Sequence, residues 1–332
     1  MAFDADSKLV AASKDTSALV QKLGQNTNLL AMMVKVAEPF TLTFQRTATG
    51  SELMGDRPAI VFAEHLARRL DTLLRNRTML LDANTLQTCV DEALEDALKH
   101  DLPLRLEGIL QPIRPYSMPQ LAYAQDLLDR ENPLVFGIGP TGTGKTYLAI
   151  AAALNQLETG NVKHIVITKP HEVIRGEQMN ADKRAEKAFD EQFDVYFDIL
   201  NEFMGQESIH ALIDQRHLEI APLGLLRGRT LTDSILLIDE AQNVDKHWMR
   251  LAITRAGKGS RTFVTGDPNH SVLPAGETNG LAHLLQMIEG HNIGSMHRFT
   301  PKDIVRNDVV AQLEALYQQA SQTDVELALQ RD

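Results

Sequence analysis

The sequence predicts an α/β protein in which a mostly parallel, helix-covered sheet is preceded by a small α+β module. From residue 134 onward, short continuous apolar runs alternate with helical segments, the pattern of strands buried on both faces. Before residue 105, an alternating apolar–polar run is followed by two stretches of helical spacing. Between the two regions Pro112, Pro115 and Pro119 interrupt any regular element.

Residues 1–27 are polar, rich in Ser, Lys, Asp and Ala, and are expected to form a loosely held leader. A helix or strand is expected to begin in 28–35. Residues 40–46 (FTLTFQR) alternate and carry β-favouring side chains, so they read as a strand. A turn is expected over 50–58, from its Gly, Asp and Pro, and a short apolar strand over 59–62. Helices are expected over 63–75, through Leu66, Leu70, Leu73 and Leu74, and over 85–97, through Leu86, Val90, Ala93 and Leu94. These elements make a module of 28–105, followed by an extended connector over 106–119. The larger domain spans 120–320, with strands expected at 134–138, 164–168, 218–221, 235–238, 262–265 and 293–299 and a helix over 146–157. Residues 321–332 are left as a tail.

Composition narrows the function classes. No apolar run approaches the roughly 20 residues that span a bilayer, and the N-terminal segment has no apolar signal core, so a cytoplasmic protein without a membrane partner is expected. The single cysteine, Cys89, leaves no internal disulfide and no multi-cysteine metal site. A formal charge of −11 argues against indiscriminate coating of nucleic acid, so any such contact must come from local patches.

Gly139-Pro140-Thr141-Gly142-Thr143-Gly144-Lys145-Thr146 satisfies G-x-x-x-x-G-K-[ST] at every fixed position, between an expected strand and an expected helix. Glycines let the backbone wrap phosphates and turn its N–H groups inward, and the helix N-terminus adds a favourable dipole. Lys145 is expected at the β- and γ-phosphates of ATP, and the Thr146 hydroxyl on Mg²⁺. About ninety residues later, Ile235-Leu236-Leu237-Ile238 runs into Asp239-Glu240. Acids at the C-terminal end of a buried strand sit where α/β sheets bind ligands. Asp239 is expected to hold the Mg²⁺ water shell and Glu240 to orient the attacking water. Val264-Thr265-Gly266-Asp267 is a further strand tip, with Asp267 expected either to sense the γ-phosphate or simply to turn the chain. Lys246, Arg250, Arg255, Lys258 and Arg261 form a stretch without acids, which reads either as a solvated face or as a contact for RNA phosphates or a neighbouring subunit's nucleotide. Arg227 and Arg229 raise the same choice, and Arg306 is a candidate finger on developing phosphate charge.

Together these segments resemble the PhoH-like family of P-loop ATPases, whose core is RecA-like and similar to superfamily 1 helicases. The resemblance covers about 110–318 and rests on FGIGPTGTGKTYLA, IAPLGLLRGRTL, LIDEAQN, TRAGKGS, VTGDP and FTPKDIVR. It implies a KH-like character for the N-terminal module, although no GXXG loop is present. It implies that Gln120 reads adenine and that Gln242 links the acid pair to the γ-phosphate. It also implies an RNA or single-stranded nucleic-acid partner and a homo-oligomeric ring such as a hexamer, in which Arg255 or Arg306 reaches a neighbour's ATP. Two departures stand out: His270 replaces the usual glutamine, and the charged segment 176–187 replaces a Gly- and Pro-bearing loop. The expected function is therefore Mg²⁺-dependent ATP hydrolysis coupled to nucleic acid. The alternatives are an ATP-gated assembly protein and, further off, a small-molecule phosphotransferase.

Overall fold

The structure, a computed structural model, describes residues 10–12, 17, 32–33, 35–38, 40, 42–47, 50–75, 83–170, 194–274, 277–305, 309–310 and 312–317. Its contacts divide the chain into two compact units, Met1–Arg105 with Pro112–Ala122, and Leu106–Gln111 with Tyr123–Asp332. The proline-bearing segment 106–119 is therefore shared between the units, and its last two residues already belong to a helix.

In the first unit, strands β1 (Val10–Ala11), β2 (Leu42–Thr47) and β3 (Gly50–Gly55) form an antiparallel sheet in the order β1-β3-β2. The turn expected over 50–58 is thus mostly strand: Leu42 pairs with Gly55 and Thr47 with Gly50, making a tight hairpin. Sheet pairing and burial of Leu53 outweigh the turn propensity of its glycines. Residues 10–12 and 17 of the expected leader are held here, where Ala12 N–H donates to the Leu53 carbonyl and Leu53 N–H to Ser17 Oγ.

Helix α1 (Arg57–Arg75) absorbs the strand expected at 59–62. The reason is periodicity over the longer window. Ala59, Ile60, Phe62, Ala63, Leu66, Ala67 and Leu70 recur at helical spacing, and all are buried. Pro58 is tolerated because it lies in the first turn. Helix α2 (Ala83–Asp96) packs beside α1, and Arg69 of α1 is ion-paired with Glu92 and Asp96 of α2. Helix α3 (Met118–Leu128) opens with Pro119 in its first turn and carries the chain into the second unit.

The second unit is built on six parallel strands in the order β6-β5-β7-β8-β4-β9. In chain order these are β4 (Leu134–Ile138), β5 (His164–Lys169), β6 (Leu218–Pro222), β7 (Ser234–Ile238), β8 (Arg261–Gly266) and β9 (Ser295–Arg298). The helices are α4 (Lys145–Glu158), α5 over 194–203, α6 (Gln206–Asp214), α7 (Lys246–Ile253) and α8 (Gly280–Ile288). This is the α/β RecA-like arrangement expected. Every residue of β7 and β8 is buried; Ile235–Ile238 therefore reads as an unbroken apolar run rather than an alternating one, whereas β8 holds the buried polar residues Arg261, Thr262 and Thr265 around Phe263 and Val264. Leu236, Ile238 and Val264 pack with Met249 and Ala252 of α7 and with Leu281 and Leu285 of α8. Each such aliphatic side chain contributes roughly 1.5–3 kcal/mol by leaving water. Among the described residues, no helix is long and apolar enough to cross a membrane.

Candidate active site

Strand register brings the motif residues together. Ile138 of β4 pairs with Gly266 of β8, and Ile238 of β7 pairs with Val264 of β8, so three neighbouring strands end at one edge. Gly139, Asp239 and Asp267 are the residues that follow those ends, and the carboxyl edge of a parallel sheet is where such folds place ligands.

The loop after β4 requires its glycines. Gly139 has φ 139°, and a Cβ there would run into the Phe299 carbonyl oxygen just past β9. Gly142 and Gly144 have φ 82° and 79°, in the left-handed region that other residues adopt only with strain. Gly144 stands at the N-cap of α4 and offers no side-chain acceptor to the first-turn amides. Lys145 is buried, its Nζ donating to the Pro140 carbonyl at 2.5 Å and to Thr143 Oγ1 at 3.2 Å. From the C-terminal side, Val305 N–H donates to the Gly142 carbonyl at 3.0 Å, fixing the FTPKDIV segment against the loop.

Asp239 is the meeting point. Its Oδ1 accepts from Thr146 Oγ1 at 2.9 Å and from Thr265 Oγ1 at 2.5 Å, and its Oδ2 accepts from the Tyr196 hydroxyl at 3.0 Å. The neighbouring Glu240 adopts φ 51°, ψ 39°, a left-handed conformation for a residue with a full side chain. Strain at such a point belongs typically to a site where a side chain must be aimed. Desolvation, and secondarily the adjacent Asp239 charge, push the Glu240 carboxyl above its ordinary value. Gln242 is buried between the strand tips: its Nε2 donates to Glu240 Oε2 at 2.6 Å, and its Oε1 accepts from Asp267 N–H at 3.0 Å. Asp267, also buried, accepts from Asn269 N–H and lies 2.8 Å from His270 Nδ1. Glu314 Oε1 lies 3.8 Å from the same ring nitrogen.

Thr146, Lys145, Asp239, Glu240, Gln242 and Asp267 are therefore gathered at one edge of the second unit. Gln120 falls in the first unit, where it is buried and accepts from Tyr116 N–H at 2.6 Å. Arg306 and the segment 176–187 lie outside the described residues.

The basic stretch divides into two kinds of residue. Lys246, Arg250 and Lys258 are exposed, as is Arg227. Arg261 is buried and donates to the carbonyls of Leu127, Asn132 and Asp126 at 2.7–2.9 Å, so it is a structural clasp and not a phosphate contact. Arg229 is paired through both terminal nitrogens with Glu219, which it holds below the usual carboxylate range. Arg255 donates to Leu251 O, Arg229 O and Thr254 Oγ1 of its own chain.

Two residues at the site carry no distinctive signal in the sequence. Thr265 stands inside the VTGD tip beside the more conspicuous carboxylate of Asp267. Tyr196 lies in FDVYFDIL, whose helical spacing reads only as core packing.

Known proteins place the arrangement. The family model of PhoH-like proteins matches residues 112–318. A PhoH-like protein of Bacillus subtilis (strain 168) is 34% identical over 227 residues, which cover 68% of this chain and 70% of the relative. A PhoH-like protein of Mycobacterium tuberculosis (strain ATCC 25618 / H37Rv) is 38% identical over 206 residues, 62% of this chain and 58% of the relative. The chain thus spans between 58% and 70% of the length of these two relatives. The glycine loop, the acid pair and the β8 tip all lie inside the matched span, and on that ground the chain belongs to the PhoH-like family of P-loop ATPases.

Proposed function

We propose that the chain hydrolyses ATP with Mg²⁺ and couples the cycle to RNA or another single-stranded nucleic acid. The observation that carries the hydrolytic reading is the convergence of Thr146, Asp239 and Glu240 beside the glycine loop. A hydroxyl and a carboxylate oxygen are the hard donors that Mg²⁺ takes, so the residues fit that ion. The loop supplies a buried ammonium at Lys145 and a helix start with glycine at its N-cap, which fit a polyphosphate.

The roles follow from position. Lys145 neutralises phosphate charge from within the loop, and Thr146 with Asp239 would hold the ion. When bound, Mg²⁺ supplies positive charge across the phosphate oxygens. Glu240, raised in pKa yet adjacent to the ion site, orients a water and accepts its proton. Gln242 ties Glu240 to the amide of Asp267, so a change at the β8 tip is felt at the water-orienting carboxylate.

Nucleic-acid coupling is supported by the exposed face of α7, where Lys246, His247 and Arg250 surround the partly exposed Trp248. Cationic side chains track a phosphate backbone, and an indole offers a stacking surface to any base. A ring of copies is part of the same proposal. The second reading, an ATP-gated assembly protein, is favoured by one observation: Val309, Leu313, Leu316 and Tyr317 are exposed apolar side chains on helical residues of 309–310 and 312–317.

Steady-state phosphate release by the wild-type chain and Lys145→Ala, with and without single-stranded RNA, tests the proposal. Turnover that rises with RNA and disappears in the variant supports it. Turnover indifferent to RNA sinks the coupling and favours the assembly reading. Equal turnover in the two proteins removes the ATPase assignment.

A further inference from the structure

Resting on the Mg²⁺–nucleotide reading above, we infer that Tyr196 is a positioning residue for the metal-holding carboxylate, fixing Asp239 so that its other oxygen stays beside Thr146. The terminal torsion of an aspartate is broad and roughly two-fold, so backbone position alone does not decide where its oxygens point. At Asp239 partners decide it. Thr146 and Thr265 donate to Oδ1, while the Tyr196 hydroxyl donates to Oδ2 from the opposite flank of the carboxylate's hydrogen-bond set.

The donor is itself held. Tyr196 is wholly buried on α5, over 194–203, and the Lys169 ammonium lies 5.9 Å from its ring centroid. An ionised carboxylate only accepts, so the phenol must donate to it. Groups that orient a metal-holding side chain through a hydrogen bond set metal affinity without touching the metal. Tyr196 meets that description, and it comes from an element remote in sequence from both the glycine loop and the acid pair.

Tyr196→Phe removes the hydroxyl and keeps the ring. The test titrates Mg²⁺ into a fluorescent ATP analogue bound to wild-type and variant, with a parallel titration in chelator. Metal-free nucleotide affinity is expected to stay within about two-fold, while the Mg²⁺ midpoint rises by roughly ten-fold or more. Identical midpoints overturn the inference alone, because wild-type still shows the metal response. Loss of both metal-free and metal-bound binding also overturns it, making the phenol a structural pillar. Wild-type binding that ignores Mg²⁺ altogether removes the reading on which the inference stands.

Discussion

The Asp239 carboxylate and the Thr146 hydroxyl lie 2.9 Å apart although 93 residues separate them in the chain. Strand β8, inserted between β4 and β7, makes this possible, because its register aligns both neighbours' ends. Asp239→Asn keeps the shape and removes the charge. Turnover at saturating Mg²⁺ and ATP is expected to fall about 100-fold, equivalent to roughly 3 kcal/mol of lost charge stabilisation. A loss below about three-fold in phosphate release would separate this carboxylate from the chemistry.

Glu240→Gln is expected to bind nucleotide normally and to turn it over at least about 100-fold more slowly, the usual contribution of a positioned base. The same variant makes a stability prediction. Folding raises the Glu240 carboxyl above 4.5, through desolvation and then through Asp239. Above both the unfolded and folded values the group is charged in either state, and the fold bears the full cost of desolvating that charge. Well below the ordinary glutamate value it is neutral in both, and the cost is gone. The variant should therefore melt higher than wild-type at neutral pH. That advantage should shrink as pH falls through the folded value toward 4.5. A melting difference that does not change with pH would contradict the raised value.

Gln242→Ala cuts the side-chain bridge that runs from Glu240 to the Asp267 amide. Nucleotide affinity is expected to change little, since Gln242 belongs to neither the loop nor the ion-holding pair. The maximal rate should drop about ten-fold, the value of a charge-assisted hydrogen bond of roughly 1.5 kcal/mol. Separate determination of kcat and KM decides it: a change confined to KM would place Gln242 in binding instead.

How much of this was legible follows from the kind of signal each part carries. The glycine loop is a contiguous eight-residue pattern set by backbone sterics, and Gly139 and Gly142 indeed adopt positive φ. The buried strand β7 announces itself because burial on both faces makes Ile235–Ile238 continuously apolar, whereas in β8 only Phe263 and Val264 carry that signal. The segment 59–62 misled because four apolar residues in a row fit a strand or one side of a helix, and only the window out to Leu70 resolves the choice. Thr265 and Tyr196 were illegible for another reason. Their importance lies in hydrogen bonds to Asp239, a tertiary fact that neither composition nor spacing encodes. Arg261 shows the converse, a cation that looks solvated in a basic run yet is buried by the fold.

Arg261 gives the stability prediction with the largest expected effect. Its guanidinium reaches three backbone carbonyls, two of them on Asp126 and Leu127 in the last turn of α3, where helix carbonyls lack partners of their own. The Phe263 ring lies 4.9 Å from the guanidinium carbon, adding a cation–π contact. Burial pulls the group down to about 10, which still leaves it charged at neutral pH. Arg261→Ala would leave those carbonyls buried or half-buried without a donor, at a cost of about 3 kcal/mol or more. In a unit of this size that corresponds to a melting point lower by on the order of 10 °C. Arg261→Lys should recover only part of the loss, because one ammonium nitrogen cannot span three carbonyls as the planar fork does. Neither variant touches Thr146, Asp239 or Glu240, so activity per folded molecule at low temperature should remain. If Arg261→Lys melts like wild-type, the fork geometry is irrelevant and only the charge matters; if both variants melt like wild-type, the clasp does not hold α3 to the sheet.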